Sequence, residues 1–196
     1  MIRTRKNTSN FDDSCIAGEQ IPRHFSVSFK EVGNSDMARV RVVFDDGNQV
    51  GDVINDNAYQ NDFYRYHDIF HYSFATLLGW SPCARAMMRR KRKSDQLLDE
   101  VEDGARAAIT EEAISMIIFN EAKRKDYFAG TSKISRTTLK IVKEMTENYE
   151  VRIRTTKEWE NAIIKAYEIF RLLITNNGGR VDFNLHTKEI QFSPIN

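Results

Sequence analysis

The sequence predicts an α+β fold, mostly α: a helical bundle with a small antiparallel sheet made by the two ends of the chain. Three observations lead there. Apolar residues alternate with polar ones only near the two termini. Between them, apolar positions recur three and four apart. The resulting order, strands then helices then strands, is that of an α+β domain rather than of repeated βαβ units. A chain of 196 residues, 41% hydrophobic and 29% charged, suits one soluble domain with a real core.

Residues 1–20 are polar and without period, so they are expected to form a flexible, loosely packed lead-in, with 21–196 as a single domain. Strands are expected within 24–54. "HFSVSFKEV" alternates through Phe25, Val27 and Phe29, and "ARVRVVF" through Val40, Val42 and Phe44. "NSD" and "DDGNQ" supply turns, and "QVGDV" is a further short strand.

Helices follow. "NDFYRYHDIFHYSFATLLG" begins at an Asn61 or Asp62 cap and stops at Gly79, with "WSP" beyond. "CARAMMRRKRKS" is short and very basic. "DQLLDEVEDGARAAITEEAISMIIFNEAKRK" is a long helical stretch broken near Gly104, with Ala108, Ile109, Ala113, Ile117 and Phe119 as its apolar positions. "RTTLKIVKEMTENY" is another helix. "TTKEWENAIIKAYEIFRLLITNNGG" has Thr155 or Thr156 as cap, an apolar stripe from Trp159 to Leu173, and Asn177 and Gly178 as its stop. Two short strands within 180–193, joined at "HTKE", complete the sheet.

The net charge of +1 provides no bulk field toward nucleic acid or a membrane surface, so strong nucleic-acid binding is not expected. No apolar run approaches the roughly 18 residues of a membrane helix. The two cysteines, Cys15 and Cys83, form no disulfide framework, and the first residues lack an apolar leader; a cytoplasmic setting is the expectation.

Chemistry concentrates in "YRYHDIFH". On a helix, positions three and four apart share a face, so His67, Asp68 and His71 point one way. Further on, Glu100 and Asp103 share a face of "DEVEDGARAAITEE", with Glu111 and Glu112 following. Packed antiparallel, the two helices bring an HDxxH face to an ExxD face. Oxygen-rich ligands suit Mg²⁺, and the histidines turn the choice toward Mn²⁺. Acids inside the apolar run "ARAAITEEAISMIIF" imply at least one that is buried and paired. The basic run Arg89–Ser94 alongside, with Arg89, Lys91 and Lys93, is what a polyphosphate needs on its other side.

At these residues the chain resembles the MazG-like, all-α nucleoside triphosphate pyrophosphohydrolases over roughly residues 55–128. That family places EExxE and ExxD motifs on two helices to bind Mg²⁺. Here "EVED", Glu100 to Asp103, matches the second motif. "HDIFH", His67 to His71, stands in altered form where the first would be. The resemblance implies hydrolysis of a nucleotide to monophosphate and pyrophosphate, and a homo-oligomer, dimer or tetramer. By that reading Asp68, His71, Glu100 and Asp103, with His67, hold Mg²⁺ or Mn²⁺. Glu111 or Glu112 serves as base, and Arg89, Lys91 and Lys93 meet phosphate. Two other readings compete. The altered motif fits a nucleotide-binding sensor or scaffold without turnover. The literal His67–Asp68 pair fits an HD-type phosphohydrolase, although the upstream histidine that chemistry needs is represented only by His24, in a strand-like stretch.

Overall fold

The computed structural model of the chain describes residues 10–33 and 38–195. The predicted class holds: helices dominate, and both ends of the chain contribute to one four-stranded sheet. β1 (His24–Val32) and β2 (Arg39–Phe44) form the N-terminal hairpin; β3 (Gly178–Asn184) and β4 (Glu189–Ser193) form the C-terminal one. The order is β2-β1-β3-β4, antiparallel throughout, and β1 pairs with β3 in the register Val27–Val181. The expected third N-terminal strand is reduced to two isolated bridges, Val43–Gln49 and Val40–Ile54. The turn expected at "NSD" and residues 1–9 lie outside the described residues.

Between the hairpins run α1 (Asp68–Leu78), α2 (Pro82–Met87), α3 (Gln96–Val101), α4 (Ala105–Lys123), α5 (Arg136–Met145) and α6 (Thr156–Thr175). The break expected near Gly104 is real and has a steric cause. A Cβ there would lie 2.2 Å from the Glu100 carbonyl oxygen, so the chain turns between α3 and α4 where only glycine fits. Thr155 closes a reciprocal cap with Glu158 at the start of α6, and its predicted stripe, Trp159, Ile163, Ala166, Phe170 and Leu173, is buried.

Helix α1 is the centre of the molecule. One side packs Tyr72 against Phe25, Phe29 and Phe183 of the sheet. The other packs Phe70 against Tyr167 and Phe170, and Phe74 against Trp159, all on α6. Covered on both sides, α1 buries nearly every residue, its polar ones included. Among the described residues no helix is long and apolar enough to cross a membrane.

Two local expectations need correction. The first helix begins at Asp68 and not at Asn61 or Asp62. Phe63 adopts a left-handed conformation (φ 65°), and a single 3₁₀ turn, Tyr64–Tyr66, intervenes. Acidic side chains compete for the backbone there: Asp56 accepts from the amides of Asp62 and Arg65, and Asp62 from that of Tyr64. Residues 10–20 of the expected loose lead-in are tied down. Asp12 is buried, accepts from the Ile21 amide, and pairs with Arg85 of α2 at 2.8 Å and Arg23 at 2.7 Å.

Candidate metal centre

The N-terminal end of α1 is locked before any ligand is considered. Arg65 pairs with Asp56 at 2.8 Å and Glu31 at 2.9 Å, fixing the preceding turn to β1. His67 then occupies the N-cap position of α1, with helical backbone angles, so His67 and His71 keep the one-turn spacing the sequence predicts. Their ring centroids lie 5.7 Å apart.

Each imidazole has one nitrogen already committed. His67 Nδ1 lies 3.0 Å from the Tyr64 carbonyl oxygen and His71 Nδ1 lies 2.9 Å from Glu111 Oε1. Carbonyl and carboxylate oxygens only accept, so both Nδ1 atoms carry the proton and donate. Nε2 faces the cluster on both rings, 3.4 Å from Asp68 Oδ1 on His67 and 3.2 Å from Glu112 Oε1 on His71. The His67 ring is further held by stacking on Tyr64, 4.3 Å between centroids and nearly coplanar.

Glu111 and Glu112, adjacent on α4, do different work. Glu111 is fully buried. Besides His71, it accepts from Ser81 Oγ at 2.7 Å and from the Cys83 amide at 2.9 Å. Those two donors form the N-terminus of α2, where Ser81 caps the helix by accepting from the Ala84 amide and Pro82 holds its first turn. Glu111 is thus an orienting group for His71. Glu112 is half-exposed and approaches from the open side, its Oε1 3.2 Å from His71 Nε2.

Electrostatics separate the four groups. Burial pushes the His67 ring toward its neutral form and raises the Asp68 carboxyl above its ordinary range. Burial also disfavours charge on His71, but Glu111 and Glu112 on either side override it and raise its pKa well above the usual value. Burial works against ionised Glu112 too. The His71 and His67 rings reverse that and bring it down to about 2. Burial drives the Cys83 thiol up to about 12, so Cys83 is a packed thiol and not a nucleophile.

The residues fit a divalent cation on two grounds. One donor atom from each of His67, His71 and Glu112 lies within 4.8 Å of the others. Two buried atoms of the cluster lack a hydrogen-bond partner: His71 Nε2, which is not aligned with Glu112 for one, and Asp68 Oδ2. Burying unsatisfied polar atoms costs about 1–3 kcal/mol each, and a cation between them would remove that cost.

The second predicted acidic motif lies in a different environment. Asp103 is buried, and its two oxygens take the Arg92 amide at 2.7 Å and the Arg92 guanidinium at 2.8 Å. Arg92 also reaches Glu150 at 2.9 Å, and Arg85 lies 3.6 Å from Asp103. Glu100 is exposed and accepts from Gln96 at 2.9 Å. The structure therefore gathers His67, Asp68, His71, Glu111 and Glu112, and places Glu100 and Asp103 outside that cluster. The basic run is partly structural as well: Arg90 donates to the Gly18 carbonyl, Arg92 is consumed by Asp103, and Ser94 is held by Glu19. Arg89, Lys91 and Lys93 are the members that keep solvent access.

Arg89 lines a cleft of about 610 Å³ together with Phe44, Asn48, Val50 and Met87. Met87, on its wall, comes near Asp68 beside Gly51. A Cβ on Gly51 would sit 3.6 Å from Met87 Sδ and 3.8 Å from Asp68 Oδ2. Sequence reasoning missed Ser81 and the Cys83 amide. The signal is present, since Ser-Pro opening a helical stretch is an N-cap signature, but "WSP" reads equally well as the end of the previous helix.

A family model described as the MazG C-terminal domain matches residues 6–196. No curated protein and no solved structure matches the chain.

Proposed function

The chain belongs to the MazG C-terminal domain family, and from that premise we propose that it is a divalent-metal-dependent nucleotide pyrophosphohydrolase. It cleaves a (d)NTP or related nucleotide to monophosphate and pyrophosphate. The observation that carries this reading is the His67–His71–Glu112 cluster, with its two unpartnered buried atoms, beside a cleft that Arg89 lines.

In this reading His67 Nε2, His71 Nε2 and Glu112 hold the ion. A bound divalent ion neutralises phosphate charge and acidifies a coordinated water. Glu112, held ionised, suits a ligand better than a base. Asp68 has the opposite character: burial raises its carboxyl toward the range where a base works, and Oδ2 is unengaged. Asp68 therefore takes the proton of the water that attacks the α-phosphorus, the α–β bridge breaks, and pyrophosphate leaves. Glu111 fixes the His71 tautomer throughout. Arg89, with Lys91 and Lys93, meets the phosphates. Leu97, Val101, Ile109 and Met116 are exposed apolar side chains on α3 and α4. Ile109 and Met116 flank Glu112 on one helical face, which supports a homo-oligomer assembled beside the site.

A second reading has one observation in its favour. His67, Asp68 and His71 are 8%, 4% and 1% exposed, little access for an attacking water. A module that binds a nucleotide without turning it over fits that burial. Product analysis separates the two. The folded chain, given each NTP and dNTP with a divalent ion, yields monophosphate and pyrophosphate in the hydrolase reading. Nucleotide binding without any product would establish the binding module instead.

A further inference from the structure

We infer that the ion this site selects is a first-row transition metal and not Mg²⁺. The inference rests on the metal-dependent reading above and concerns the identity of its ion. Two of the positions are imidazole nitrogens, and neither is free to turn away: Tyr64 O and Glu111 Oε1 hold the Nδ1 atoms, so both Nε2 atoms are turned toward the cluster, where an ion would displace the His71 proton. Mg²⁺ is a hard ion that gives up its waters reluctantly and is met through one or two carboxylates. It gains little from imidazole. Mn²⁺, Co²⁺ and Zn²⁺ gain progressively more.

The surroundings point the same way. Glu111 is an outer-shell carboxylate on a metal-ready histidine, and it is itself fixed by Ser81 Oγ and the Cys83 amide. That arrangement makes the imidazole a stronger donor and holds it in place. Burial adds to the selection. With His67, Asp68 and His71 nearly closed to solvent, an ion that insists on several retained waters fits poorly, while one satisfied mostly by protein donors fits well. Glu112 completes a set of two nitrogens and one oxygen, which leaves a position for water. The oxygen-rich alternative, with Glu100 and Asp103 drawn in, is unavailable because Asp103 is bound by Arg92.

The test is metal binding by the whole chain, read without reference to activity. Co²⁺ is titrated into metal-free protein and followed by its visible absorption, then challenged with Zn²⁺, Mn²⁺ and Mg²⁺. The expected result is one Co²⁺ per chain, displaced readily by Zn²⁺, and not displaced by a roughly thousandfold excess of Mg²⁺. Glu111→Gln weakens Co²⁺ binding by about 10–100-fold without a change in stoichiometry. His67→Ala and Glu112→Gln, whose folding is checked by circular dichroism, lose the Co²⁺ spectrum. If Mg²⁺ competes on equal terms, the transition-metal inference is overturned and the metal-dependent reading stands. If the folded chain binds no divalent ion at all, both fall. A Co²⁺ spectrum that survives His67→Ala and Glu112→Gln overturns the assignment of the donors.

Discussion

Two buried polar clusters lie a few residues apart in the sequence and behave in opposite ways. Around Arg92, a guanidinium gathers the acids: Asp103 takes the amide and the guanidinium, and Glu150 takes the other side. Around His71, charges of both signs are also brought together: Glu112 Oε1 lies 3.2 Å from His71 Nε2, and Asp68 Oδ2 has no hydrogen-bond partner. The first cluster is built on a group that only donates and cannot hold a metal. The second presents two imidazoles and a carboxylate, donor atoms that an ion can use. Burial and acidity alone do not distinguish them; the chemistry of the groups they gather does.

The comparison is broken most forcefully on the structural side. Asp103→Ala leaves the Arg92 guanidinium buried against Glu150 alone, and a stranded buried charge costs about 3–5 kcal/mol. Denaturant unfolding is expected to show that loss, with the metal site affected only through global stability. Gly104→Ala, which drives a Cβ into the Glu100 carbonyl, is expected to cost about 1–3 kcal/mol by the same measurement.

On the functional side the ranking of effects inverts. His71→Ala removes a side chain whose partners are Glu111 and Glu112, and the expected consequence is loss of metal binding and turnover by more than about 100-fold. Asp103→Ala, destabilised but still folded, should keep its metal binding. Loss of metal binding by folded Asp103→Ala would erase the distinction between the clusters.

A pH dependence sharpens it further. Burial raises Glu102 to about 7, and Glu150 beside it adds to that shift. A carboxyl raised in the folded state contributes stability that is fully present below its unfolded value, near 4.5, and is lost as pH rises to about 7. The unfolding free energy is expected to decline across that window, and Glu102→Gln to flatten the decline. The smallest effect is reserved for Glu100. Exposed and bonded to Gln96, it should tolerate Glu100→Gln within about 0.5 kcal/mol and without loss of turnover.

Much of the fold was legible. The alternation at Phe25, Val27 and Phe29, the Trp159–Leu173 stripe, and the Thr155 cap are local patterns with one reading each, and they recur in the structure. The pairing of β1 with β3 was not, because nothing in either strand names its partner across more than 150 residues. At the site, the i and i+4 spacing of His67 and His71 was readable, and so was a buried, paired acid in "TEE". Which acid could not be read. Glu111 and Glu112 are neighbours, and their separate roles depend on Ser81 and the Cys83 amide arriving from α2. Asp103 misled for a related reason. Its partner is inside the basic run that looked like a phosphate site, and only packing reveals that Arg92 faces inward.

In the proposed reaction HDxxH, and not ExxD, is the functional motif. The most direct measurement is pyrophosphate release from a nucleoside triphosphate by Glu100→Gln and His71→Ala side by side, with the divalent ion that supports the unmodified chain. Undiminished release by Glu100→Gln and none by His71→Ala is the expected result. Release abolished in Glu100→Gln and retained in His71→Ala would contradict it and return the site to the acidic helix.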